Sequence, residues 1–380
     1  MNDYEAVVVG GGIVGSSVAY HLARAGVETV VVDRDDDGRA TNAGAGIVAP
    51  ATSSRTESTR WFEFAVDAAD YYPGLAADLA DAGYDHGYSE TELVAIAVDD
   101  SDRAALHAAK ERSAKRTDRY GFPEPDSVSP VAGEVLRELF PPVVDGARGL
   151  HFENAGRVDG ARFAAALLAA GTDAGLTIRD GDVTDIRTSG GAVAGVDLAD
   201  GTRLDARNVV VAGGAWSASF GADLGVEVPV EPHRGQIAHL DTDSIGDVTT
   251  ADWPVVKGFR GHYMVPWPDG RIAVGATRES DAEFAPHATL GGIAEVSNEA
   301  LRVAPGLSEA RHVETRVGLR PVSADRNPVL GPVPGVEGAH LATGHGATGL
   351  QLGPYSGKLV AEAVRGAEPP ELAEFGVGRF

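Results

Sequence analysis

The sequence predicts an α/β protein: a domain of parallel strands assembled from separated segments, beside a second domain with a mixed, largely antiparallel sheet. Three observations carry that expectation. Residues 5–33 read strand, glycine turn, helix, strand, the βαβ unit from which parallel sheets are built. Apolar runs of the same buried-strand type reappear near 205–215 and at 340–343. Between them, residues 228–277 hold short strands parted by polar turns, which is antiparallel patterning. A chain of 380 residues also exceeds one ordinary core, so two domains are expected. The ranges proposed are 1–85, 150–225 and 318–380 for the first domain, with 86–149 and 226–317 for the second.

The elements follow in order. Ala6, Val7, Val8 and Val9 make a strand buried on both faces, 13–25 a helix that stops at Gly26, and 29–32 a second buried strand ending at Asp33. Residues 34–58 are rich in Gly, Ala, Ser, Thr and Asn and are expected to be loop. A helix with the aromatic stripe Trp61, Phe64 and Tyr71 is expected over 60–82, a strand over 92–98 and a charged helix over 102–120. Residues 122–142 contain prolines and are expected to be irregular. An alanine- and leucine-rich helix covers 161–174. Turn signals at Gly190-Gly191 and Asp200-Gly201 predict hairpins. Residues 208–212 form a strand running into Gly213-Gly214, and the tail closes with a strand at 340–343 and a helix over 355–364.

Composition excludes several functions. A net charge of −24 repels phosphate backbones and anionic membrane surfaces. Lys110, Lys115, Lys257 and Lys358 are the only lysines, so 28 of the 32 basic residues are arginine. Dense carboxylates with scarce lysine resemble proteins of salt-loving archaea, in which salt screens self-repulsion. With no cysteine there is no disulfide, no thiolate nucleophile and no cysteine-linked cofactor. The 11 histidines show no metal-binding spacing, so no metal is expected, and no G-x-S-x-G elbow is present. An acidic N-terminus and the lack of a long apolar run lead us to expect a cytoplasmic protein without a membrane span.

The chemistry concentrates at the N-terminal turn. Gly10-Gly11-Gly12-Ile13-Val14-Gly15 satisfies G-x-G-x-x-G between a strand and a helix. Gly10 permits the turn, Gly12 lets backbone approach a pyrophosphate, and Gly15 lets helix and strand pack closely. The amides freed at the helix start bind phosphate. Asp33, 18 residues beyond Gly15, is placed to accept from ribose hydroxyls, with Arg34 beside it. A Rossmann-like dinucleotide site follows. Its strands return far along the chain rather than in a complete second half, which favours FAD over NAD.

The chain resembles the D-amino-acid oxidase group of flavoproteins, which includes glycine oxidase and monomeric sarcosine oxidase. The resemblance rests on the glycine turn, Thr41-Asn42-Ala43-Gly44-Ala45-Gly46, residues 209–217, Arg234-Gly235-Gln236, Tyr263-Met264-Val265-Pro266, and residues 318–349. It implies non-covalent FAD. Asn42, Gly46, Ile47 and Val48 would run beside the pyrophosphate and flavin, Val183 would meet the adenine through its backbone, and Gly213 would close the site. Gly344, Gly346, Ala347, Thr348, Gly349 and Leu350 would lie against the flavin pyrimidine edge.

The resemblance also assigns Arg320 to the substrate carboxylate, since a guanidinium presents a planar fork to two oxygens, and Tyr263 to assist it. His345 is expected to be structural. Relatives often carry a basic side chain where Ala347 and Thr348 stand, so the electron acceptor, oxygen or another, stays open. The implied activity is oxidation of a small amine or amino acid by hydride transfer from the α-carbon to flavin N5, giving an imine and then an oxo acid. Two alternatives remain: an FAD-dependent dehydrogenase of a 2-hydroxy acid or polyol, with His262 or His345 as base, and a non-catalytic flavin-binding electron-transfer subunit.

Overall fold

The computed structural model describes residues 3–55, 59–245 and 249–380. Residues 56–58, at the end of the expected loop, and 246–248, inside the expected antiparallel stretch, lie outside the described residues.

The N-terminal valine run occupies the centre of the first sheet because it has no face that tolerates water. Val7 and Val8 are fully buried in the strand Asp3–Val9. That strand pairs in parallel with Thr29–Asp33 on one side and Arg203–Val211 on the other. Thr177–Asp180 and Ala339–Thr343 extend the parallel sheet outward, and Val329–Pro332 closes one edge antiparallel. Strands from the start, middle and end of the chain therefore share one sheet of eight strands among the described residues. The hairpin signals hold: Val183–Ser189 pairs antiparallel with Ala192–Leu198, which pairs antiparallel with Arg203–Val211.

Helices cover this sheet. Helix Ile13–Arg24 buries Val18 and Leu22 against Leu352, Leu359 and Val360 of helix Gly349–Val364. Each such buried side chain contributes about 1.5–3 kcal/mol. The two helices approach closely enough for the Ser17 hydroxyl to donate to the Pro354 carbonyl at 2.8 Å.

The second sheet has nine strands among the described residues. Its order is Arg311–Ser323, Val230–Asp241, Arg271–Gly275, Tyr263–Pro266, Val255–Gly258, Tyr88–Ala97, Arg148–Val158 and Ile47–Val48, with Val128–Ala132 beside Arg148–Val158. Its pairs are antiparallel except Val255–Gly258 with Tyr88–Ala97. Strands Arg148–Val158 and Arg311–Ser323 run across the proposed limits at 150 and 318, and both pair inside this sheet.

Three local expectations need correction. Residues 122–142 are not irregular: Val128–Ala132 is a strand and Gly133–Leu139 a helix. Pro130 is tolerated because that strand has a partner on one side only. The expected loop 34–58 holds the short helix Ala40–Ala43 and the strand Ile47–Val48. The last helix begins at Gly349 rather than Tyr355, with Pro354 inside it. Proline has no N–H for the Leu350 carbonyl four residues back, and the Tyr72 hydroxyl donates to that carbonyl instead.

Candidate functional site

The glycine turn folds as its sequence requires. Gly10 has φ +104, and a β-carbon there would lie 2.5 Å from the Ala212 carbonyl oxygen. A β-carbon on Gly15 would lie 1.9 Å from the Gly10 carbonyl oxygen. The Ser16 amide reaches back to Gly12 at 2.8 Å, so the first-turn amides before it lack an i−4 acceptor. The Ile13 amide donates to Thr41 Oγ1 at 3.0 Å, which ties the 41–48 segment to the helix start.

A cavity of about 390 Å³ runs from this turn to the second sheet. Among the residues expected from sequence, its wall includes Gly10, Gly12, Ile13, Val14, Asp33, Arg34, Gly46, Ile47, Val183, Gly213, Gly346, Ala347, Gly349, Leu350, Tyr263 and Arg320. Five others stand behind or beside the wall. Gly15 packs under Gly10. Val48 is buried in the cluster around Ile13 and pairs with Gly156. Gly344 turns against Val329, and the Thr348 hydroxyl donates to the His345 carbonyl at 2.9 Å. Asn42 departs most: its side chain is exposed, outside the wall.

At the end near the first strand, Asp33 is already engaged. Its carboxylate accepts from the Gly11 amide, from the Asp35 amide at 2.7 Å and from Arg39 at 3.3 Å. It thus braces the turn as well as facing the cavity. Arg34 is held by Asp36 at 2.5 Å and Asp182 at 2.9 Å, with its guanidinium 5.4 Å from the Trp216 ring centre. Trp216 belongs to the 213–216 turn expected to close the site, whereas nothing in the sequence marks Arg39, because a lone charged residue carries no spacing signal.

At the other end, four consecutive strands of the second sheet bring Arg320 and Tyr263 together. Arg320 lies on Arg311–Ser323, two residues beyond Gly318, which faces Gly235 on the neighbouring strand. The Arg320 guanidinium lies over Gly235: a β-carbon there would sit 2.1 Å from Nη2. Its Nη1 donates to the carbonyls of Thr277 at 3.1 Å and Arg234 at 3.3 Å. Tyr263 packs over Gly275, where a β-carbon would sit 2.8 Å from the phenol oxygen. Burial pushes the Tyr263 phenol up while the hydrogen-bonded Arg320 opposes that shift, and burial lowers Arg320. Glu279, whose charge reaches Arg320, is taken by Arg234 at 2.5 Å and by Gln236 and Thr277. No carboxylate ion pair to Arg320 occurs among the described residues.

The remaining polar groups fall into place. His345 is buried, its Nε2 lies 3.0 Å from Ser356 Oγ, and burial lowers its pKa to about 4. His262 lies outside this cavity, paired with Glu295 at 3.1 Å. Gln351, which the sequence reading passed over, accepts from the Ala49 amide at 3.0 Å, yet its buried Nε2 has no partner. That orphaned donor, the close-backbone turn and the small-residue walls fit an elongated cofactor such as FAD. No cluster of metal-binding side chains occurs among the described residues, and no described helix is long and apolar enough to cross a membrane.

Comparison with known proteins agrees with this geometry. The family model for FAD-dependent oxidoreductases of the DAO type matches residues 5–363. An uncharacterised oxidoreductase of Bacillus subtilis, YurR, is 38% identical over 364 residues, covering 95% of both chains. Glycine oxidase of Pseudomonas putida is 34% identical over 376 residues, covering 96% of this chain and 95% of its own. The crystal structure of iminodiacetate oxidase from Chelativorans sp. BNC1 superposes with a TM-score of 0.91 at 36% identity, over 98% of both chains. FAD is the cofactor and oxidoreduction the class of reaction: the chain belongs to the DAO family of FAD-dependent oxidoreductases.

Proposed function

We propose that the enzyme oxidises a small amine or amino acid of the glycine, N-methyl or D-amino-acid type, held by its carboxylate on Arg320. The observation that carries this reading is the Arg320 guanidinium, partly buried on the cavity wall and bonded only to backbone carbonyls and Tyr263. A buried cation without a paired anion is costly, and a substrate carboxylate offsets that cost through a bidentate contact. The activities named for the glycine oxidase and iminodiacetate oxidase relatives support an amine bearing a carboxylate.

Each wall residue then has a task. The Gly12 and Val14 amides at the helix start hold the pyrophosphate, with Ile13 tied to Thr41 beside them and Asp33, Arg34 and Val183 flanking the ADP part. Gly46, Ile47 and Gly213 admit the chain of the cofactor, and residues 344–350 border its ring. Bound there, FAD would supply the two-electron acceptor for oxidation of the amine to an imine, which water would hydrolyse to an oxo acid and ammonia or a primary amine. Tyr263 and Arg320 fix the carboxylate so that the α-carbon is held in one orientation.

The carboxylates on the cavity wall, Asp33, Asp36 and Asp182, stand at the ADP end. Among the described residues the substrate end of the wall offers no carboxylate base, which suits an amine whose lone pair drives the oxidation. An alcohol requires a base, and neither histidine serves: His262 is outside the cavity and His345 is committed to Ser356. The test is anaerobic mixing of the FAD-loaded enzyme with glycine, sarcosine, D-amino acids and 2-hydroxyglutarate. Bleaching of the flavin band by an amine is expected. Bleaching by 2-hydroxyglutarate alone, or by no member of the panel, overturns the reading. Repeating the mixing in air then identifies oxygen or another acceptor.

A further inference from the structure

A second arginine borders the substrate end. Arg278 lies on the same cavity wall as Arg320 and Tyr263, just beyond the strand Arg271–Gly275. The short stretch from Gly275 to Arg278 organises all three side chains. Tyr263 packs over Gly275, Arg320 donates to the Thr277 carbonyl at 3.1 Å, and Arg278 turns back to within 3.5 Å of the Ala276 carbonyl oxygen. Room for the Arg278 head comes from Gly261, which has φ +86 and where a β-carbon would sit 2.6 Å from Nη1.

Arg278 has no carboxylate partner among the described residues, in a chain with 56 acidic residues. Its sequence neighbours are committed elsewhere: Glu279 binds Arg234 and Gln236, and Asp281 accepts from Ser280 at 3.2 Å. Arg278 is close enough to Arg320 to depress its pKa by charge repulsion. Two guanidinium groups facing one space, neither in an ion pair with a carboxylate among the described residues, repel each other, and a doubly negative ligand relieves both. The general charge of −24 opposes such a ligand, so a local pair of cations is what would admit it.

We propose that Arg278 is a second carboxylate anchor, and that the preferred substrate is an amine or amino acid carrying two carboxylates, one on Arg320 and one on Arg278. This rests on the amine-oxidation reading above and narrows it to a dianionic class. Arg278 is a specificity residue in this scheme; it takes no part in the removal of hydride.

The experiment is calorimetric binding to the FAD-loaded enzyme at fixed salt, with two unreactive thioethers as probes. Thiodiacetate carries two carboxylates and (methylthio)acetate one. The wild-type protein is expected to bind thiodiacetate about tenfold tighter or more, the scale of a charge-assisted contact. In Arg278→Gln that ratio falls toward one, and Arg278→Lys restores part of it. FAD content confirms that each variant is folded. Equal affinity for the two probes in the wild type, or an unchanged ratio in Arg278→Gln, overturns the dianion proposal while leaving the Arg320 anchor standing. Failure of both probes to bind defeats the Arg320 anchor and this proposal together.

Discussion

Replacing Gly235 by alanine displaces the proposed carboxylate anchor without altering it chemically. The added β-carbon would sit 2.1 Å from Nη2, 2.3 Å from Cζ and 2.4 Å from Nη1 of Arg320. Ordinary contact begins near 3.4 Å, so the guanidinium must retreat by more than 1 Å, about the displacement that degrades a positioned contact. Gly235 sits in the strand Val230–Asp241 without a left-handed φ, so alanine fits the backbone and the effect falls on Arg320. A hydrogen bond to a charged group is worth about 1.5–3 kcal/mol, which converts to roughly a 10- to 150-fold rise in KM. The assay is steady-state kinetics on Gly235→Ala with FAD content matched to wild type. An FAD-loaded variant whose KM stays within about twofold of wild type would refute the anchor reasoning.

Gly15→Ala places a β-carbon 1.9 Å from the Gly10 carbonyl oxygen, so it should purify with little or no FAD, read as the ratio of flavin to protein absorbance. His345 is folded at a pKa of about 4, well below its unfolded value near 6.5, because burial disfavours the charged ring. The unfolded chain takes up the proton first, so this stability is full above pH 6.5 and lost as pH falls toward 4, by on the order of 1 kcal/mol per pH unit. A His345→Gln variant should show a flatter Tm profile over that window, and an unchanged slope would refute the burial argument. Salt should raise Tm, because burial and the neighbouring acids Asp70, Glu371 and Glu63 raise the pKa of Asp67, and screening shortens their reach from about 10 Å at 0.1 M to 3 Å at 1 M. A Tm that is flat or falling between those salt concentrations would argue against it.

Much of the site was legible because close backbone approach leaves a mark on the sequence. A turn that brings Gly10 within reach of Ala212 admits only glycine, so the nucleotide end can be read from spacing. The substrate end is different. Arg320, Tyr263 and Arg278 meet because four antiparallel strands fix their register, and no short-range pattern records that pairing. Arg320 and Tyr263 were reachable through family resemblance, whereas Arg278 and Gln351 were not, since an isolated arginine or glutamine looks like any surface residue. The missed strand and helix in 122–142 have the same origin: Pro130 reads as a breaker until an edge position makes its missing N–H harmless.

The sequence by itself determined the βαβ start, the dinucleotide turn, the buried parallel strands and the acidic surface, since each follows from residue type and local spacing. Tertiary structure alone decided which arginines go unpaired. Whether a guanidinium meets an acid, a carbonyl or an open cavity depends on strands tens of residues apart, and that choice sets the charge the substrate must bring.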